Sequence, residues 1–144
     1  MARNFVLDSS AVLALLNDEA GADVVAEIMP SSVVSAVNLA EVISSLVNKG
    51  ISGADAETAL LTLDCKSEPF RREEALLSGR LRESTRHAGL SLGDRACLAL
   101  ALTLRLPVYT ADRAWRDLPL DVDVRLIRST RRTGPGSLTL AAEA

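Results

Sequence analysis

The sequence has 144 residues, of which 48% are hydrophobic and only 3% are aromatic, and its formal net charge is −3. This length fits a single domain, and a core of Ala, Leu and Val favours helices packed on a small sheet over an aromatic-rich β-sandwich. No apolar stretch approaches the ~18 residues that a membrane-spanning helix needs. The apolar run near the N-terminus contains Asp8 and lacks the pattern of a signal peptide.

Strands alternate with helices in the first half of the sequence. The predicted elements are a strand at about 4–7, the helices AVLALLN and ADVVAEIM, a strand at 31–35, and the helices AVNLAEVISSLVN and AETALLTL. Ser9 or Ser10 can cap the first helix, and Ser35 can cap the third. Ser52 and Asp55 form an S-x-x-D pattern typical of a helix start.

The second half continues the alternation. Its predicted elements are a short strand within CKSEPF, the helix REEALLSGRLRESTRHA, the very apolar helix GDRACLALALTLRL, the strand PVYT at 107–110, the short helix DRAWRDL and the edge strand DVDVRLIR. This order predicts an α/β fold with a mostly parallel central sheet flanked by helices. We expect one domain at 1–128 and a flexible tail at 129–144, which is rich in Gly, Pro and small residues.

The charge is distributed unevenly along the chain. Residues 1–64 carry two basic and nine acidic residues, net −7, whereas residues 65–144 carry fourteen basic and ten acidic residues, net +4. Fourteen of the sixteen basic residues are arginine, whose guanidinium pairs well with phosphate groups. The second half is therefore compatible with a nucleic-acid partner, although any single arginine can equally solvate a helix face.

Cys65 and Cys97 are far apart and show no C-x-x-C spacing. Cys97 also lies in an apolar helical stretch, where a cysteine usually behaves as a small buried hydrophobic residue. We therefore expect two free thiols in a reducing compartment and a cytoplasmic protein.

Four acidic residues occupy positions that solubility alone does not explain. Asp8 and Asp112 follow predicted strands, Glu41 lies within an apolar helix, and Asp94 opens the most apolar helix. Ligands of such folds gather at the carboxyl ends of the strands, so these residues are expected at one edge of the sheet. Clustered carboxylates are unfavourable without a cation, and hard oxygen ligands select Mg²⁺ or Mn²⁺ rather than Zn²⁺.

Each of the four residues also has a purely local interpretation. Asp8 can cap the first helix, Asp94 can form a capping box with Ser91, and Asp112 can form an Asx turn or cap the short helix after it. Glu41 can belong to a solvated polar stripe that also contains Asn38, Ser45 and Asn48.

A serine-hydrolase reading of GLSLG at 89–93, which matches G-x-S-x-G, fails on its context. A nucleophile elbow needs a preceding strand and a later histidine. The segment before GLSLG looks helical, and the single histidine, His87, lies upstream. A ribonuclease that uses two histidines is also excluded, because the sequence contains only one histidine.

Four segments, in this order and at these separations, resemble the PIN-domain ribonucleases, specifically the VapC-type toxins of bacterial toxin–antitoxin pairs: VLDSSAVLALL, NLAEV, LSLGDRACLALAL and LPVYTADRAW. The resemblance covers about residues 3–128. It carries the acidic quartet of the family onto Asp8, Glu41, Asp94 and Asp112. Asp117 falls where some relatives have a further acidic residue.

From these residues we expect Asp8, Asp94 and Asp112 to bind Mg²⁺ or Mn²⁺. Such an ion activates water and offsets the charge that develops on a phosphodiester during hydrolysis. Glu41, as a carboxylate that is not a direct ligand, can orient that water or act as a base. The remaining candidates are hydroxyls that can orient the ligands and arginines that can bind substrate phosphate, namely Ser9, Thr110, Arg95, Arg113 and Arg116.

The resemblance implies a Mg²⁺-dependent endoribonuclease that cuts structured RNA, often tRNA or ribosomal RNA, and arrests translation. It also implies a cognate VapB-type antitoxin that inserts a side chain near the acidic site, and a homodimer formed through helices of the N-terminal half. One alternative stays open. A non-catalytic PIN-like module would bind RNA or a protein, and its carboxylates would have lost their catalytic role.

Overall fold

The computed structural model describes residues 2–128, which form one five-stranded sheet with helices on both faces. The strands are β1 (Phe5–Leu7), β2 (Ser32–Ser35), β3 (Lys66–Glu68), β4 (Val108–Thr110) and β5 (Val124–Leu126). Every neighbouring pair of strands is parallel, in the order β3-β2-β1-β4-β5. The predicted α/β fold with a mostly parallel sheet is confirmed.

Six α-helices connect the strands. They are α1 (Ser9–Leu16), α2 (Ala22–Ile28), α3 (Ala36–Asn48), α4 (Gly53–Leu61), α5 (Arg72–Thr85) and α6 (Leu92–Leu104). Three short 3₁₀ helices follow α2, α5 and β4, at Met29–Ser31, Arg86–Ala88 and Arg113–Asp117. Each predicted helix is present.

The chain changes direction across the sheet at β1. The strands β2 and β3 lie on one side of β1, whereas β4 and β5 lie on the other. In open parallel sheets this reversal leaves a crevice at the carboxyl ends of the two strands concerned, here β1 and β4. Asp8 follows β1 directly and Asp112 lies two residues after β4, so both residues reach this crevice.

The two faces of the sheet bury separate cores because successive side chains of a strand point to opposite faces. Val6 and Val33 pack on one face with Leu98 of α6. Leu7 and Val34, one residue further along each strand, pack on the other face with residues of α1, α2, α3 and α4. Burial of one such side chain stabilises the fold by about 1.5–3 kcal/mol.

Helix α6 is the most buried helix, as its sequence predicts. Seven of its residues are buried, from Gly93 to Ala101. One of them is Cys97, which is a free thiol, and Cys65 is a half-buried free thiol. Because α6 begins at the carboxyl edge of the sheet and leads into β4, its first turn faces the same crevice as Asp8.

Several element boundaries differ from the predictions. The first helix is capped by Asp8, not by Ser9 or Ser10, because Oδ1 of Asp8 accepts a hydrogen bond from the backbone N–H of Ala11 at 2.9 Å. The edge strand predicted across DVDVRLIR is only three residues long. The helix predicted to run through RHA ends at Thr85 and continues as a 3₁₀ turn.

The predicted tail at 129–144 lies outside the described residues, and the domain boundary at 128 stays a prediction. Within residues 2–128, none of the helices is both long enough and apolar enough to cross a lipid bilayer.

Candidate active site

Asp8 lies at the base of the crevice, where β1 meets α1. Its side chain is only 5% exposed. Oδ1 accepts hydrogen bonds from the Ser10 hydroxyl at 2.7 Å and from the Ala11 N–H at 2.9 Å. Oδ2 accepts a hydrogen bond from the Thr110 hydroxyl at 2.6 Å. The capping interpretation of Asp8 is therefore confirmed, and the same carboxylate also bonds across the crevice to β4.

Burial raises the pKa of Asp8 to about 6, although the three hydrogen bonds act in the opposite direction. The negative charge of Asp94 also raises this pKa. A carboxyl group whose pKa rises despite three donors has lost much of its hydration. The free energy cost of ionising Asp8 would fall if a cation bound beside it.

Thr110 is the last residue of β4, and Asp112 lies two residues beyond it. The Thr110 hydroxyl accepts a hydrogen bond from the Asp112 N–H at 3.0 Å while it donates to Asp8. Oδ1 of Asp112 accepts a hydrogen bond from the Ala114 N–H at 3.0 Å and so caps the 3₁₀ helix Arg113–Asp117. Asp112 is exposed, whereas Thr110 is completely buried.

Glu41 projects from α3 and is half-buried. Its Oε1 accepts hydrogen bonds from the Ser9 hydroxyl and, at 2.8 Å, from Nδ2 of Asn38. Asn38 is only 1% exposed. The interpretation of these two residues as part of a solvated stripe is therefore wrong, because α6 and the start of α1 cover this end of α3.

Asp94 is the fourth residue of the capping box that its sequence predicts. Its N–H donates to the Ser91 hydroxyl at 3.1 Å, and its Oδ2 accepts a hydrogen bond from the Ser91 N–H at 3.0 Å. Partial burial raises the pKa of Asp94, and the charges of Glu41 and Asp112 raise it further. Asp94 therefore interacts electrostatically with all three other members of the quartet.

The four carboxylates share one edge of the sheet but do not form a closed cage. Among residues 2–128, no three Asp, Glu, His or Cys side chains stand close enough together to hold a metal ion as they are placed. The predicted convergence of Asp8, Asp94 and Asp112 is therefore absent from the side-chain positions, since each carboxylate turns toward local donors.

The donor set nevertheless fits a hard divalent cation. All four side chains offer carboxylate oxygens, and Mg²⁺ and Mn²⁺ prefer such ligands. Each cap occupies one oxygen of Asp94 and one of Asp112. Because a carboxylate has two oxygens and about four acceptor positions, capping and metal coordination are compatible.

The other predicted residues are divided between the crevice and its surroundings. Nη1 of Arg95 donates to the backbone carbonyl of Ser78 at 3.0 Å, which attaches this guanidinium to α5. Arg113, Arg116 and Asp117 are exposed on the 3₁₀ helix that follows Asp112.

The sequence prediction missed three residues of the site. The Ser10 hydroxyl donates to Asp8 and accepts a hydrogen bond from the Ala111 N–H at 2.9 Å, so it joins α1 to the end of β4. Asn38 bonds to Glu41, and Gly93 lies directly against the Glu41 carboxylate. The spacing of Asn38, one turn before Glu41, is the only local signal for any of these contacts.

Comparison with known families decides which kind of domain this is. The family model of the PIN domain matches residues 5–120. The chain belongs to the PIN-domain family. No curated protein sequence matches it.

Solved structures support this PIN fold. A chain of the DNA-bound VapBC structure from Salmonella typhimurium aligns with a TM-score of 0.69 at 15% identity, over 87% of this chain and 98% of that one. Mycobacterium tuberculosis VapC20, a toxin that cleaves the Sarcin-Ricin loop, aligns with a TM-score of 0.66 at 15% identity, over 83% and 99%. FitAcB from Neisseria gonorrhoeae aligns with a TM-score of 0.61 at 21% identity, over 83% and 95%. At these identities the similarity shows the fold alone.

Proposed function

We propose that this PIN-domain protein is a VapC-type toxin, an endoribonuclease that uses Mg²⁺ or Mn²⁺ to hydrolyse phosphodiester bonds in RNA. The observation that carries the proposal is the position of four carboxylates at one edge of the sheet, where Asp94 interacts electrostatically with the other three. The charge of Asp94 raises the pKa of Asp8, and the charges of Glu41 and Asp112 raise the pKa of Asp94. Such a group of acidic side chains binds a divalent cation favourably.

Asp8, Asp94 and Asp112 are the residues that would hold the ion. When bound, Mg²⁺ or Mn²⁺ lowers the pKa of water and offsets the charge that grows on the phosphate. Thr110 and Ser10 orient Asp8 through their hydrogen bonds. The two caps hold the backbones of Asp94 and Asp112 at the rim of the crevice.

Glu41 is the proposed base. Ser9 and Asn38 both donate to Oε1, which leaves Oε2 to accept a proton from the attacking water. The water oxygen bonds to phosphorus, the bond from phosphorus to the departing ribose oxygen breaks, and that oxygen takes up a proton from solvent. Glu41 then releases the proton it accepted to solvent. Arg113 and Arg116 belong to the 3₁₀ helix that follows Asp112, and in this proposal they bind neighbouring phosphates.

The proposal includes partners and a compartment. The matched structure from Salmonella typhimurium is a VapBC complex bound to DNA, so we propose a VapB-type antitoxin for this chain. We further propose a homodimer, a tRNA or ribosomal RNA substrate, and a cytoplasmic location. Light scattering of the purified protein tests the dimer. Co-purification with the product of a small reading frame immediately upstream tests the antitoxin.

The test of the enzyme is cleavage of total tRNA and ribosomal RNA fragments with Mg²⁺, with Mn²⁺ and with EDTA. We expect cleavage that needs the cation and is lost in Asp8→Asn and Asp94→Asn. Asp55→Asn is the matched control, because Asp55 occupies the same S-x-x-D position at the start of α4 that Asp94 occupies in α6. Equal cleavage in the presence of EDTA would contradict the metal mechanism.

One observation favours the second candidate, a non-catalytic PIN-like module that binds RNA or a protein. No three of the acidic side chains among residues 2–128 are close enough to hold an ion as placed. The same experiment separates the two candidates. Wild-type protein that binds RNA tightly but never cuts it, with either cation, would favour the binding module.

A further inference from the structure

The Glu41 carboxylate rests directly on the backbone of α6 at Gly93. A β carbon built on Gly93 would overlap both oxygens of Glu41 and its Cδ. Gly93 has an ordinary helical backbone, because its φ is not in the left-handed region that favours glycine. The requirement for glycine at this position is therefore one of space, and the carboxylate of Glu41 fills that space.

Asn38 holds the carboxylate in this position from the other side. Its Nδ2 donates to Oε1 of Glu41 at 2.8 Å and to the carbonyl of Gly93 at 3.1 Å. The same nitrogen lies 3.2 Å from the Ser9 hydroxyl oxygen, and that hydroxyl donates in turn to Glu41. One buried amide thus connects α3, α6 and the start of α1 around a single carboxylate oxygen.

This arrangement is unlike ordinary core packing. Asn38 is one of the largest side chains that are completely buried, and burial of an amide is unfavourable unless hydrogen bonds compensate it. Its neighbours within hydrogen-bond distance are Ser9, Glu41 and Gly93, the residue before Asp94. An apolar side chain would fill the same volume without needing hydrogen-bond partners.

We propose that Gly93 and Asn38 are positioning residues for Glu41: Gly93 provides the space for the carboxylate, and Asn38 fixes it there by hydrogen bonding. The inference rests on the proposed function, in which Glu41 accepts a proton from water. The contact also sets the distance between Glu41 and Asp94, because Asp94 follows Gly93 in α6. Neither residue touches substrate in this scheme, since both act through Glu41.

The first test is Gly93→Ala. The new methyl group displaces the Glu41 carboxylate from its hydrogen bonds with Asn38 and Ser9, so we expect the protein to fold with a melting temperature moderately below that of the wild type. We expect kcat for RNA cleavage to fall by roughly 10- to 100-fold, the cost of misplacing a reacting group by about 1 Å. KM and the Kd for Mn²⁺, measured by calorimetry, should stay unchanged, because Glu41 is not among the proposed ligands.

Gly79→Ala is the matched control. Gly79 also lies within a helix, α5, and a β carbon there meets no atom within 4 Å. We expect wild-type cleavage and an unchanged or higher melting temperature, because alanine favours helices. Wild-type kcat in Gly93→Ala would overturn the inference, and so would a melting temperature as high as that of Gly79→Ala.

A double-mutant cycle tests Asn38 independently. If Asn38 acts through Glu41, Asn38→Ala lowers kcat in the wild type but has no further effect in the Glu41→Ala background. The same four proteins can be compared in EDTA, where no cleavage occurs. Their melting temperatures should then show non-additive changes. Additive effects in both cycles would overturn the inference.

The two proposals fail in different ways. A wild-type protein that cuts no RNA contradicts the proposed function. The melting-temperature cycle in EDTA still decides whether Asn38 and Glu41 are coupled, because it does not depend on cleavage.

Discussion

The hydroxyl of Thr110, at the end of β4, donates a hydrogen bond to Oδ2 of Asp8, at the end of β1, over 2.6 Å. Both side chains are buried, and β1 and β4 are the neighbouring strands at which the sheet changes direction. The same hydroxyl accepts a hydrogen bond from the N–H of Asp112. One buried oxygen atom thereby sets the relative positions of two proposed metal ligands.

We predict that Thr110→Val destabilises the protein by about 1–3 kcal/mol, because the isosteric change leaves Oδ2 of Asp8 and the Asp112 N–H without this partner. Thr110→Ser, which keeps the hydroxyl, should retain most of the stability that Thr110→Val loses. Urea denaturation measures both changes. Thr103→Val, at an exposed position of α6, is the control and should change stability by less than about 0.5 kcal/mol. Equal effects at the two positions would contradict the assigned hydrogen bonds.

Asp8 gives the metal-free protein a specific pH dependence. Because burial raises the pKa of Asp8 to about 6 in the folded state, the folded state binds this proton more tightly than the unfolded state does. The resulting stabilisation is complete below the unfolded pKa of about 4 and is lost as the pH rises through 6.

We therefore predict that Asp8→Asn, which cannot ionise, gains stability relative to the wild type as the pH rises from about 4 to 7. The expected gain is on the order of 2 kcal/mol. Free energies of unfolding in EDTA across this range measure it. Because the other carboxyl groups are common to both proteins, the difference reports the ionisation of Asp8 together with its electrostatic coupling to Asp94. A difference that stays constant with pH would show that the pKa of Asp8 is not raised.

Addition of Mn²⁺ at pH 7.5 should raise the melting temperature of the wild type. At 100 times Kd the added stability would be about 2.7 kcal/mol. Asp94→Asn should remove this response. Ser91→Ala is the matched control, since it removes the capping hydroxyl that Asp94 uses, at a cost of about 1 kcal/mol, but retains the carboxylate. If Ser91→Ala loses the Mn²⁺ response as fully as Asp94→Asn, Asp94 acts only as a helix cap.

A further prediction concerns the fold rather than the site. Gly21 and Gly50 both have positive φ, 96° and 98°, so alanine is strained at either position. A β carbon at Gly21 would also lie 2.7 Å from the carbonyl oxygen of Ile127, whereas one at Gly50 meets nothing within 4 Å. We expect Gly21→Ala to destabilise the protein by at least about 1 kcal/mol more than Gly50→Ala in chemical denaturation. Equal losses would mean that the chain at Ile127 moves away freely.

Much of the candidate site could be selected from the sequence, because its acidic residues stand next to recognisable elements. Asp8 and Asp112 follow apolar strand segments, and Asp94 completes an S-x-x-D helix start. The environment of Glu41 could not be predicted in this way. Its polar neighbours along α3 indicated a solvated stripe, and only the packing of α6 and α1 against α3 shows that Asn38 is buried.

Arg95 gives a similar lesson. Its sequence position indicated a phosphate contact, but its guanidinium donates to the carbonyl of Ser78 on α5. The choice between these partners depends on the direction in which one face of α6 points. That direction follows from the packing of α5 against α6 and not from the identity of adjacent residues.

The sequence by itself determined the order of strands and helices, the α/β class and the caps at Ser35, Ser52 and Ser91, because hydrophobic periodicity and capping act within a few residues. Only the tertiary structure decided the strand order, the bond from Thr110 to Asp8, and the contact of Glu41 with Gly93. Thr110 and Asp8 are 102 residues apart, and Asn38 and Gly93 are 55 residues apart. Such contacts depend on how two complete elements pack, and no local pattern encodes them.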